Sequence, residues 1–160
     1  MASLDEVKNY LADHNIEVWE YPEPTATAQA AANAVGCGVA EIAKTLLFLV
    51  GGKAVAVVTC GDMKVKSSRL KQASGLSGKV KLPQADEVLN YTGYVPGGVC
   101  PFLLPENLPV FLDASLQRFS VVYAAAGNNH SAVPITVSQL KQLTGARLVE
   151  LCDSVTEAVQ

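Results

Sequence analysis

Apolar residues are densest between Ala43 and Thr59, AKTLLFLVGGKAVAVVT. Two apolar runs, Thr45–Val50 and Ala54–Val58, flank Gly51-Gly52-Lys53, and a glycine pair between β-prone runs predicts a hairpin. Both alternations are apolar, Leu46, Phe48 and Val50 on one face and Leu47 and Leu49 on the other, so both faces are expected to be covered. Lys44 precedes the first run. A lysine at the end of a buried strand must reach water or find an anion, and it is expected at the mouth of a pocket.

Periodicity orders the rest of the chain. Ser3 and Glu6 form a capping box, and Leu4, Val7 and Leu11 recur at helical spacing, predicting a helix over 4–14. Glu17–Tyr21 predicts a strand ended by Pro22 and Pro24, with Tyr21 placed to line a cavity. Thr27 caps an alanine-rich helix over 28–35 that Gly36 stops. Cys60-Gly-Asp-Met predicts a loop. Helices are predicted over 67–74, 86–91 and 137–143, and strands over 79–82, 109–112, 120–126 and 147–151. Gly93-Tyr-Val-Pro-Gly-Gly-Val-Cys-Pro-Phe102 predicts a tight loop open to close approach, with free N–H groups able to bind oxygens. Gly127-Asn-Asn-His-Ser131 gathers polar groups at a strand end, a frequent place for a binding site. Strands and helices are interspersed without regular alternation, so the expected class is α+β or mixed α/β, a mainly mixed sheet with helices packed around it.

Composition narrows the function. The 160 residues suit one domain over 1–160, and 49% hydrophobic residues allow a sizeable core. The longest apolar run is too short to span a bilayer, and MASLDEVKNYL lacks an apolar signal core, so a cytoplasmic protein is expected. The four cysteines are far apart, with no metal spacing, so reduced thiols and no metal or cofactor are expected. The net charge is −3, yet Met63–Ala85 contains no acid and holds six of the twelve basic residues. Lys64, Lys66, Arg69 and Lys71 in that window suit a phosphate backbone.

Four segments together resemble one family. They are TAQAAANAVG followed by IAKTLLFLV, GYVPGGVCPFL, LPVFLDASLQRF, and VYAAAGNNHSAVPITVSQLKQLTGA. The set, from about Thr27 onward, is similar to the YbaK/ProX family of aminoacyl-tRNA deacylases, the superfamily of the prolyl-tRNA synthetase editing domain. The resemblance implies a partly barrel-like mixed sheet of about six to seven strands surrounded by helices. It implies a freestanding trans-editing hydrolase that cleaves the aminoacyl ester at the 3′ end of a mischarged tRNA, with no DNA or membrane partner. The family's lysine maps onto Lys44, its glycine-rich loop onto Gly97, Gly98 and Pro101, and its strand-end loop onto Gly127, Asn128, Asn129 and His130.

In that frame Lys44 holds the phosphate or adenosine end, and the Gly97 and Gly98 amides stabilise charge on the carbonyl oxygen. Asn129 or His130 positions a water or substrate hydroxyl, with His130 shuttling a proton. Tyr21, Thr27, Cys100, Pro101, Phe102, Gly127 and Asn128 form the substrate-binding wall. Cys100 has no neighbouring base in sequence and is expected to line the pocket rather than act as a nucleophile. A non-catalytic module that binds tRNA or aminoacyl-adenosine is the alternative. A structural interaction domain leaves the coincidence of Lys44, glycine loop and basic window unexplained.

Overall fold

The computed structural model describes residues 3–155. The predicted hairpin is its centre. Strands β2 (Ile42–Val50) and β3 (Lys53–Cys60) pair antiparallel from Ala43↔Cys60 to Val50↔Lys53 around Gly51-Gly52. Both faces are covered. Val50, Val55 and Val57 enter one apolar cluster with Leu70 and Phe111. Ala43, Val58 and Cys60 enter a second with Val7, Leu11 and Leu112, and Leu47 and Ala56 pack on Leu108.

The sheet grows from both edges of this hairpin. Strand β6 (Val110–Asp113) joins β3 in parallel, and β9 (Arg147–Val149) joins β6 in parallel. On the other edge, β7 (Val122–Ala124) lies parallel to β2. It is followed by β8 (Ser131–Ile135) and the two-residue β1 (Trp19–Glu20), each antiparallel to its neighbour. The order is β1-β8-β7-β2-β3-β6-β9, and β5 (Val80–Lys81) also pairs with β2. Among the described residues the sheet therefore has eight strands, and β1 and β5 contribute only two residues each. The architecture is the expected mixed α/β sheet with helices packed around it.

The helices end where their caps dictate. In α1 (Leu4–Ala12) the Ser3–Glu6 capping box forms and Val7 and Leu11 are buried; the helix stops at Ala12 rather than His14. Thr27 caps α2 (Ala28–Val35), accepting from the Ala30 N–H at 3.0 Å, and Gly36 closes it in the left-handed conformation. Helices α3 (Ser67–Ser74), α4 (Ala85–Thr92) and α5 (Val137–Thr144) each end on a left-handed glycine. Asp113 caps a short 3-10 helix over Ala114–Arg118, its side chain accepting from the Ser115 N–H.

Three strands escape the periodicity argument. Within the segment expected as a loop, β3 runs to Cys60 and, after Gly61-Asp62, β4 (Met63–Val65) pairs with β10 (Cys152–Ser154). Strand β8 contains Pro134. Three residues are too few to show a period, and a proline argues against a strand unless its missing N–H needs no partner.

Candidate functional site

A cavity of about 480 Å³ opens beside β2. Its origin lies in the sheet. The edge of β2 turned away from β3 has two partners, β7 at Ile42 and Ala43 and β5 at Leu49 and Val50. Between Ala43 and Leu49 no strand among the described residues pairs with that edge. The cavity fills this gap, and Lys44, Thr45, Leu46 and Leu47 line it.

The sequence explains the gap. Continuing the β5 register would place residue 83 opposite Leu47, and residue 83 is proline. Pro83 has no N–H to donate, so the pairing stops at Lys81 and the chain turns away into α4. Leu82 and Pro83 then form part of the cavity wall, and Leu82 is 74% exposed at its mouth. The small side chains of α2, Ala28 and Ala31, and of β7 and β8, Ala124 and Ala132, leave space open that larger residues would fill.

Lys44 is half-buried at this wall. Desolvation lowers its pKa below the ordinary lysine value, opposed by nearby acidic groups that include the Asp62 carboxylate. Among the described residues no salt bridge engages its ammonium. Asp62 is held instead by Arg118, whose guanidinium reaches its two oxygens at 3.1 and 2.7 Å. That contact keeps the Asp62 carboxyl below the usual range.

The glycine-rich loop meets the cavity at Pro96, Gly97 and Val99. Gly98 donates its N–H to the Val95 carbonyl at 3.0 Å, closing a turn with Pro96 and Gly97 at its corners. Gly97 takes φ +89°, a conformation glycine adopts at this corner without strain. The Gly98 amide is thus already committed, contrary to the expectation of two free donors. The Gly97 amide has no hydrogen bond among the described residues and sits on the cavity wall.

Beyond Val99 the loop dives inward. Cys100 and Phe102 are almost fully buried in the core with Tyr94, whose hydroxyl donates to the Phe102 carbonyl at 2.5 Å. Burial pushes the Cys100 thiol up to about 12. Cys100, Pro101 and Phe102 support the loop from beneath and do not line the cavity, which corrects the expected wall.

The Gly127–His130 turn is also set back. Its backbone faces the incoming chain: the His130 carbonyl accepts from the Tyr21 N–H at 2.9 Å and the Asn129 carbonyl from the Thr25 N–H at 2.7 Å. The Asn129 and His130 side chains meet each other, Oδ1 to Nδ1, at 2.7 Å. Neither they nor Tyr21, Gly127 or Asn128 line the cavity, whereas Thr27 does. The two turns still touch, since a Cβ on Gly98 would fall against the Asn128 backbone. Lys44, Thr27 and Gly97 are therefore brought to one cavity, and Asn128–His130 buttress it from behind.

Thr45, Leu47, Pro83 and Val88 line the cavity without having been singled out in the sequence. The available signals were a lone hydroxyl inside an apolar run and a proline ending a short strand.

The basic window is partly neutralised. Lys66 and Arg69 each reach Asp153 at 3.2 Å, and Arg69 also donates to the Cys152 carbonyl. Lys64 is exposed and Lys71 half-buried, and neither has a salt bridge among the described residues.

No helix among the described residues is long and apolar enough to cross a membrane.

Comparison with known proteins places the fold. Residues 22–143 match the model of the aminoacyl-tRNA editing domain. The protein YwhH of Bacillus subtilis is 34% identical over 154 residues, 94% of this chain and 97% of that protein. The "Putative Cys-tRNA(Pro)/Cys-tRNA(Cys) deacylase EbsC" of Enterococcus faecalis is 26% identical, covering 86% of this chain and 87% of its own. Among solved structures, a "putative trans-editing enzyme for prolyl tRNA synthetase" superposes with a TM-score of 0.84 at 30% identity, over 96% of this chain and 100% of that one.

Proposed function

Because the chain belongs to the aminoacyl-tRNA editing-domain family, we propose that it hydrolyses the ester joining a mismatched amino acid to the 3′ end of a tRNA. The observation that supports this most is the cavity in the β2 gap. It combines a cation at Lys44 and an amide at Gly97, both without a partner among the described residues, and small apolar walls sized for an aminoacyl group.

In this reading the apolar walls accept the amino-acid side chain, and Lys44 holds the phosphate or the adenosine end as a fixed point charge. The Gly97 N–H donates to the ester oxygen as negative charge grows on it. Water or a hydroxyl of the substrate is the nucleophile. Among the described residues no carboxylate or imidazole lines the cavity, so catalysis rests on stabilising the oxyanion and excluding bulk water rather than on a strong base. Asn129 and His130 act by positioning the glycine turn. Lys64 and Lys71, with Lys66 and Arg69 around Asp153, steer the acceptor stem.

The lack of a lining acid or base also suits the second reading, a module that binds the charged 3′ end without cleaving it. A panel of alanyl-, cysteinyl-, seryl- and threonyl-tRNAs separates the two. Loss of at least one ester well above the rate in buffer supports the hydrolase, and binding with every ester intact supports the module. Cysteine belongs in the panel because the Enterococcus faecalis relative is named for it.

A further inference from the structure

We infer that the unpaired edge of β2, through the Thr45 backbone carbonyl and the Thr45 hydroxyl, receives the α-ammonium group of the aminoacyl ester. This rests on the reading of the cavity as an aminoacyl site and adds to it the requirement for a free amine.

The direction of the backbone groups follows from the register. Gly51 donates its N–H to the Lys79 carbonyl just before β5, and the Ile42 carbonyl accepts from the Gly61 N–H on the β3 side. Backbone groups alternate along a strand with period two. Odd-numbered residues of β2 therefore face β5 and β7, and even-numbered residues face β3. Within the gap, Thr45 and Leu47 direct their N–H and C=O groups at the cavity, about 7 Å apart along the strand. A sheet edge with no partner is a template for another hydrogen-bonding group.

The chemistry selects a cation with several donors. Among the described residues no carboxylate lines the cavity, so an ammonium entering it is solvated by neutral oxygens. Most hydroxyls on the wall are committed. Thr27 caps α2, the Thr25 hydroxyl bonds the Ser131 carbonyl, and the Ser131 hydroxyl accepts from the Ala126 N–H. The Thr45 hydroxyl is buried with no partner among the described residues. A buried orphan hydroxyl costs stability unless a ligand satisfies it. Lys44 does not oppose the guest from the same side: cross-strand neighbours share a face, so Lys44 goes with Thr59 and Thr45 with Val58 on the opposite face. An ammonium seated on the Thr45 carbonyl and hydroxyl oxygens leaves the ester carbonyl free to approach Gly97.

The test compares two non-cleavable probes, 3′-(L-alanylamino)-3′-deoxyadenosine and its L-lactylamino counterpart, which replaces the ammonium by a hydroxyl. Both are titrated into ¹³C,¹⁵N-labelled protein. The expected result is movement of the Thr45 carbonyl signal and the Leu46 amide signal of the same peptide with the amine probe, and at least tenfold weaker binding of the hydroxyl probe. Thr45→Val, which keeps the shape and β preference, is expected to weaken the amine probe several-fold and leave the hydroxyl probe nearly unchanged. Equal binding of the two probes overturns the inference while the aminoacyl-site reading stands. Movement confined to residues outside the cavity, or no binding of either probe, overturns both.

Discussion

A Cβ on Gly98 would stand 2.9 Å from the Asn128 Cα, so the glycine turn and the Asn128–His130 turn meet backbone to backbone. Asn128 shapes its own turn by accepting from the His130 N–H at 3.0 Å. Gly98→Ala must push the two turns apart, at a cost of about 1–3 kcal/mol typical of overpacking. The displacement passes to Gly97, whose amide is bonded to nothing else among the described residues. The expected outcome is a lower urea midpoint together with a loss of deacylation larger than the stability change explains. Wild-type activity in this variant would detach the glycine turn from the chemistry.

Lys44 separates function from stability. Burial lowers its pKa, so the unfolded chain binds this proton more tightly than the folded protein does. Stability then rises with pH between the folded value and the ordinary lysine value of 10.5, and below that window the desolvation penalty is constant. Lys44→Met removes the penalty. At pH 7 the variant is expected to be at least as stable as wild type, and the gap closes as pH approaches the upper end of that window. Deacylation falls by about 10²-fold, the scale of losing one charge-stabilising group. Urea unfolding at two pH values and single-turnover hydrolysis check the two halves.

Asp153 restrains the basic window. Exposed ion pairs contribute only about 0–1 kcal/mol, so Asp153→Asn should leave the melting temperature nearly unchanged while releasing Lys66 and Arg69. The expected result is tighter tRNA binding with a steeper salt dependence. Lys64→Ala with Lys71→Ala should act the other way, flattening the slope of log K against log salt by about 0.7–0.9 per lost phosphate contact. An unchanged slope in both variants would move tRNA to another face.

Cys100 tests the exclusion of a thiol nucleophile. Its thiol, pushed up to about 12, is overwhelmingly protonated at neutral pH and almost fully buried. Iodoacetamide at pH 8 should leave it unmodified in the folded protein. Cys100→Ala should lower stability by about 1 kcal/mol for the atoms removed from the core and keep the deacylation rate. Loss of all activity in a well-folded variant would restore Cys100 to the mechanism.

The centre of the fold was legible because long-range order there is written locally. Two apolar runs around Gly51-Gly52 fix both the hairpin and its register, and caps such as Ser3, Thr27 and Thr136 mark helix starts. The short strands β4 and β10 were not, since three residues carry no period and their pairing joins segments almost ninety positions apart. Lys44 and Gly97 could be read as a site because a charge beside an apolar strand and a glycine in a proline-bounded turn each have a local reason. The cavity itself could not. It depends on Pro83 stopping β5 short of Leu47, which requires knowing that β5 pairs with β2. Likewise nothing in the order Gly97-Gly98 says which amide the turn consumes.

The central claim is that the ester is cleaved in the gap between β7 and β5. Val88 on α4 lines that gap, away from Lys44 and Gly97 in the chain. The most direct measurement is the single-turnover deacylation rate of Val88→Trp, on whichever charged tRNA the wild type cleaves, beside its circular dichroism spectrum. The account predicts a native spectrum and a rate at least tenfold lower, because the indole occupies the aminoacyl space. A native spectrum with the wild-type rate would mean that the chemistry takes place elsewhere.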